Sequence, residues 1–139
     1  STRQLDINAW SDLKPFKVGY ERGMTIIAEH SELNLLPANS IESAILQASM
    51  GRVDVLLNDD FTTRYNLRRM GVENLIANPT PLAPGPAFHL LNSKHQKLAE
   101  QLNEVLLEMT ANDRIRQIKD EVIEDFMRKA EQEYRQEQP

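Results

Sequence analysis

The chain has 139 residues, a length that buries a hydrophobic core without metal or disulfide support. Its 40% hydrophobic and 27% charged residues describe an ordinary globular chain, and the absence of cysteine excludes disulfide frameworks, thiolate metal sites and thiol nucleophiles. A net charge of -5, with Lys and Arg scattered along the chain, disfavours a nucleic-acid partner.

The first two thirds alternate between short β-like runs and helical stretches, the pattern of a mostly parallel sheet. Phe16 to Tyr20 reads as the first strand, stopped by Gly23, and Met24 to His30 as a short helix. Leu33 to Leu36 is a second strand. Asn39, with Glu42 three residues later, suits a helix start, and Ile41, Ala44, Ile45 and Ala48 then line one helical face up to Gly51.

Val53 to Leu57 is almost continuously apolar, as expected of a central strand covered on both faces. Asp59 or Asp60 opens the next helix, which runs to about Met70 with Arg68 and Arg69 at its negative end and Gly71 as terminator. Val72 to Ala77 is expected to form a fourth strand and Ala87 to Leu91 a last one. Between them Pro79, Pro81, Pro84 and Pro86 forbid regular structure and mark a hinge at about 78–88.

Beyond lie two amphipathic helices. The first aligns Leu98, Leu102, Val105, Leu106 and Met109, the second Ile115, Ile118, Val122 and Phe126. Residues 131–139 are polar and are expected to fray. The expected fold is therefore α/β: a three-layer sandwich lobe with a mostly parallel sheet of about five strands over 1–92, then C-terminal helices over 93–130. No apolar run approaches the ~20 residues that cross a bilayer, and Ser1-Thr2-Arg3-Gln4 has no signal-peptide pattern.

Three segments carry a family resemblance by their order and spacing. Trp10-Ser11-Asp12-Leu13-Lys14 leads into Lys17-Val18-Gly19-Tyr20-Glu21-Arg22-Gly23-Met24-Thr25. Ser40-Ile41-Glu42-Ser43-Ala44 precedes Met50-Gly51-Arg52-Val53-Asp54-Val55-Leu56-Leu57-Asn58-Asp59, whose Gly-Arg-x-Asp is the strongest signal. Phe88 to Lys94 leads into Leu98-Ala99-Glu100-Gln101-Leu102-Asn103. From about Ala9 to Phe126 the chain resembles the second lobe and C-terminal return segment of the type II periplasmic solute-binding proteins, the fold of polar amino acid receptors and many sensor domains.

The resemblance implies a periplasmic binding protein of an ABC-type transporter or sensor, without cofactor, serving a membrane permease or an attached signalling domain. It implies a ligand-binding turn at Arg22, Gly23, Met24 and Thr25 that holds a carboxylate, and an Asp59 that pairs with an ammonium group. Met24 stands where the family commonly has Thr or Ser, which departs from a standard amino acid site, and the aromatic and Arg residues of the family's first lobe have no counterpart here. The residues themselves agree in part: a strand-to-helix turn exposes free N–H groups that suit an anion. Asp59 serves equally as a helix cap.

An enzyme reading is disfavoured. The related cyclohexadienyl dehydratases draw catalysis from both lobes, and Asp59 and Asp60, adjacent at a helix start, diverge too far to flank one substrate. His30, His89 and His95 have no partner at metal-ligating spacing, so no metal is expected. Arg52 and Asp54 are expected to fix the start of a strand. The apolar stripes of the last two helices need a partner surface, and the expectation is a homodimer or an exchange of these helices between copies. An interaction module built on those helices, without solute binding, is the alternative function.

Overall fold

The computed structural model describes residues 5–85 and 88–137. A parallel sheet of three strands, β1 (Lys17–Glu21), β2 (Asn34–Ala38) and β3 (Val55–Leu57), is ordered β2-β1-β3. Val18 sits beside Leu35 and Val55 in register, and Tyr20 beside Pro37 and Leu57. Because strand side chains alternate, Val18, Leu35, Val55 and Leu57 share one face. They pack there with Ile7, Trp10, Leu13 and Phe16, from the segment that precedes β1, and with Leu33, which precedes β2. Helix α2 (Ile41–Ser49) lies against all three strands, with Ile41, Ala44 and Ile45 buried. Gly19 marks the close approach on its own face of β1, since a Cβ there would meet Val53 Cγ2 at 2.9 Å.

The α/β class and the two C-terminal helices are as expected, but the sheet has three strands rather than about five. Residues 72–77 form no strand. Glu73 and Asn74 interrupt the apolar run, and Asn74 Nδ2 donates to the Ser49 carbonyl at 2.9 Å instead of joining a ladder. Residues 88–91 form none either, with Phe88 78% and Leu90 94% exposed, and Ala87 lies outside the described residues. In consequence β1, not β3, is the central strand. β3 starts at Val55 because Asp54 binds the first residue of β1 on both sides. Its carboxylate accepts from Lys17 N, and its own N–H donates to Lys17 O, each at 2.8 Å.

Helix boundaries follow local chemistry. α1 is only Thr25–Ala28. Ser40, not Asn39, caps α2 by accepting from Ser43 N at 3.2 Å. Helix α3 (Asp60–Arg69) ends at Gly71, whose φ of +63° is the left-handed conformation that terminates helices. Arg69 reaches Glu42 at 2.8 Å and ties α3 to α2.

By its contacts the chain divides into one unit of residues 1–83 with 127–139, and a second of residues 84–126. The second contains helix α4 (Gln96–Ala111), entered through a 3-10 turn at Ser93–His95, and the first half of α5 (Arg114–Glu137). The segment from residue 131, expected to fray, is helical to Glu137. It is held within the first unit: Ala130 is fully buried, Tyr65 donates to Glu133 Oε2 at 3.0 Å, Arg68 pairs with Glu131, and the Tyr134 ring lies over Gly71. Burial and the Glu133 hydrogen bond push the Tyr65 hydroxyl pKa up.

Candidate functional site

The turn Arg22 to Thr25 leaves the carboxyl end of β1, and Asn58-Asp59 leaves that of the neighbouring strand β3. Tyr20 and Leu57 are partners in the last paired position, so both segments emerge at the same rim of the sheet. The order β2-β1-β3 means the chain moves one way from β1 to β2 and returns past β1 to reach β3. In open α/β sheets ligands bind at the carboxyl rim, and here β1 leads on to β2 while β3 leads into α3.

On the β1 side the rim is a β-turn. Met24 N donates to Glu21 O at 3.3 Å, and Gly23 at φ +104° occupies the position where such a turn requires positive φ. No Cβ contact would exclude another residue from Gly23, so its requirement is conformational. Arg22 N is used, donating to Ala38 O at 2.9 Å. The N–H groups of Gly23, Thr25 and Ile26 have no acceptor among the described residues. Arg22, Gly23 and Thr25 are exposed, while Met24 is half-buried and lends its backbone as the α1 cap without a side-chain bond.

On the β3 side the rim is the start of α3. Asp59 Oδ1 accepts from Thr62 N at 2.7 Å, the capping bond expected from its position. Thr63 Oγ1 donates to the Asp59 carbonyl at 2.7 Å and fixes the same turn. Asp59 is exposed, and its Oδ2 has no partner among the described residues. A carboxylate can cap with one oxygen and still accept from a ligand with the other.

Asn58, between β3 and Asp59, escaped the sequence reading. Its Nδ2 is enclosed without an acceptor among the described residues, a costly state for an amide donor. Only its place at the end of an apolar strand hinted at this. Arg52 makes no side-chain bond among the described residues, so Asp54 alone fixes the strand start.

The histidines lie elsewhere. His30 stacks on Trp10 with ring centroids 3.9 Å apart and meets Glu32 Oε1 at 2.9 Å, a structural role that lowers the Glu32 pKa. His89 lines an open depression of about 430 Å³ in the second unit with Leu91, Ser93, Gln96 and Ala99, where no charged group converges. Among the described residues no three His, Asp or Glu side chains assemble into a metal-binding group, and no helix is long and apolar enough to cross a membrane. No family model matches the chain, and neither does any curated protein or solved structure.

Proposed function

We propose that this chain is a lobe of a solute-binding module of the periplasm, which captures a small polar solute such as an amino acid for an ABC-type permease or an attached signalling domain. The observation that carries this reading is the return of the chain across β1, which sets the Arg22–Thr25 turn beside Asn58-Asp59 at one rim. A solute carboxylate takes the unfilled N–H groups of Gly23, Thr25 and Ile26, with the Thr25 hydroxyl within the same turn. A solute ammonium takes Asp59 Oδ2. Both segments offer partners suited to charge and neither offers a nucleophile positioned by a base, so the reading is binding rather than catalysis.

The test is a thermal-shift panel of amino acids, organic acids and polyamines on three proteins: wild type, D59S and D59A. Solute at a hundred times its dissociation constant stabilises the wild type by roughly 2.7 kcal/mol. D59S retains a capping oxygen and its unliganded stability to within about 0.5 kcal/mol, yet loses the response to solutes that carry an ammonium group. D59A loses the cap as well, at about 0.5–2 kcal/mol. A wild type that responds to nothing in the panel, or a D59S protein that responds like wild type, overturns the assignment. A second reading, an assembly module, is favoured by one observation: the half-exposed apolar faces of α4 and α5.

A further inference from the structure

The single tryptophan of the chain carries a histidine on its face. The rings of Trp10 and His30 have centroids 3.9 Å apart and planes only 15° from parallel. Two neutral aromatic rings disfavour so close a sandwich, because their negative faces meet, and they settle offset or edge to face with centroids about 4.5–7 Å apart. An imidazolium reverses that preference. A cation is attracted to an indole face when it lies within about 6 Å of the ring centroid.

The edge of the same ring points to the same form. His30 Nδ1 lies 2.9 Å from Glu32 Oε1. An ionised carboxylate only accepts, so Nδ1 must carry a hydrogen, and in imidazolium both ring nitrogens do. The His30 side chain is 28% exposed and that of Glu32 47%, so protons reach both from solvent. The hydrogen bond from His30, then the backbone N–H of Glu32 and the charges of His30 and Lys14, hold the Glu32 carboxyl below its ordinary value.

Both rings stand on fixed backbone. Trp10 opens the 3-10 turn Trp10–Leu13, which Asp12 closes by accepting from the N–H groups of Asn8 and Ala9. His30 N donates to Ile27 O at the end of α1, and His30 O accepts from Leu33 N just before β2. The stack therefore joins two parts of the first unit: the segment that carries Ile7 and Leu13 into the core, and the connection that runs from the Arg22–Thr25 turn through α1 to β2. The charged groups around it are Glu32 and Glu29 on the connection, with Lys14 and the already bonded Asp12 on the segment before β1.

The geometry points to a pH-dependent clasp, in which imidazolium at His30 seats on Trp10, pairs with Glu32 and fastens the segment before β1 to the β1–β2 connection. The clasp needs His30 charged and Glu32 ionised together. On the acid side it is lost as pH falls through the depressed Glu32 value, below the ordinary 4.5. On the alkaline side it is lost where histidine discharges, within about pH 5–8. It is therefore firmest at mildly acidic pH. The clasp stands or falls independently of solute binding at the sheet rim.

The experiment is a titration of Trp10 emission in the full chain from pH 8 to pH 5, on wild type, H30Q, E32Q and H89Q/H95Q. Imidazolium stacked on indole quenches its emission by accepting an electron from the excited ring. Wild type and H89Q/H95Q therefore dim reversibly as pH falls, and H30Q does not. E32Q moves the midpoint of the dimming to lower pH, because the charged ring has lost its carboxylate. Urea unfolding of H30Q, E32Q and the double variant completes a cycle in which residues 30 and 32 couple more strongly at pH 6 than at pH 8. Emission that is constant with pH in wild type, or that dims alike in H30Q, overturns the clasp. So does a midpoint unmoved in E32Q, or a coupling equal at the two pH values.

Discussion

Replacing Gly71 by Ala should cost more than either of its visible causes alone. At φ +63° any side chain meets backbone strain of about 1–2 kcal/mol. In addition the space a Cβ would occupy is filled by the Tyr134 ring, so the substitution must displace that ring from its place over Gly71. Loss of that packing adds roughly another 1–2 kcal/mol for a ring about two-thirds buried. Gly51→Ala is the internal control, because its φ of +70° imposes the same strain and no atom lies within 4 Å of its Cβ. Urea unfolding followed by far-ultraviolet circular dichroism should therefore place G71A below G51A by about 1–2 kcal/mol. In a Y134A background the two glycine substitutions should become equal, since the obstructing ring is gone. Equal costs with Tyr134 in place, or an undiminished gap without it, would show that the Tyr134 ring does not pack over Gly71.

Two further outcomes follow from single groups. Backbone N–H groups of Asn8 and Ala9, both 3.0 Å from Asp12 Oδ2, hold its carboxyl below the usual range. Glu42 is lowered by its own backbone N–H and the Ser40 hydroxyl, with Arg69 contributing. A depressed folded pKa gives stability that is complete above the unfolded value, about 4, and is lost as pH falls through the folded one. D12N and E42Q should each flatten the acid side of the stability profile and leave the neutral side's shape unchanged; an unaltered acid side would contradict these hydrogen bonds. Asn58→Leu replaces an unpaired enclosed amide by an apolar group of similar size and should leave stability equal or higher in chemical denaturation. A loss above about 1 kcal/mol would reveal an acceptor on Nδ2.

Much of the first unit was legible because its signals are local. The apolar runs around Val18 and Val55, the terminator at Gly71 and the cap at Asp59 each depend on a few neighbouring residues. The strand count was not legible, because a strand exists only if another edge receives it. Residues 72–77 have the composition of a strand, but Asn74 turns to the end of α2. Ser40 rather than Asn39 caps α2 because the strand ends at Ala38 and the chain needs one more residue to turn.

The end of α5 misled for a similar reason. Its polarity reads as solvent exposure, yet Glu131 and Glu133 are polar because they bind Arg68 and Tyr65 on α3. At the candidate site the turn and the cap could be foreseen. Their adjacency required the strand order, and the orphaned Asn58 amide required knowledge of what surrounds it.

Amide chemical shifts of the nitrogen-15-labelled chain, followed while an amino acid identified in the panel is added, give the sharpest view of where solute binds. Saturable shifts should appear at Gly23, Thr25 and Ile26 together with Asp59, and D59S should remove those of the α3 start while the turn still answers to simple carboxylates. Shifts confined to other residues, such as the His89 depression, or a spectrum that solute leaves untouched, would contradict binding at the β1/β3 rim.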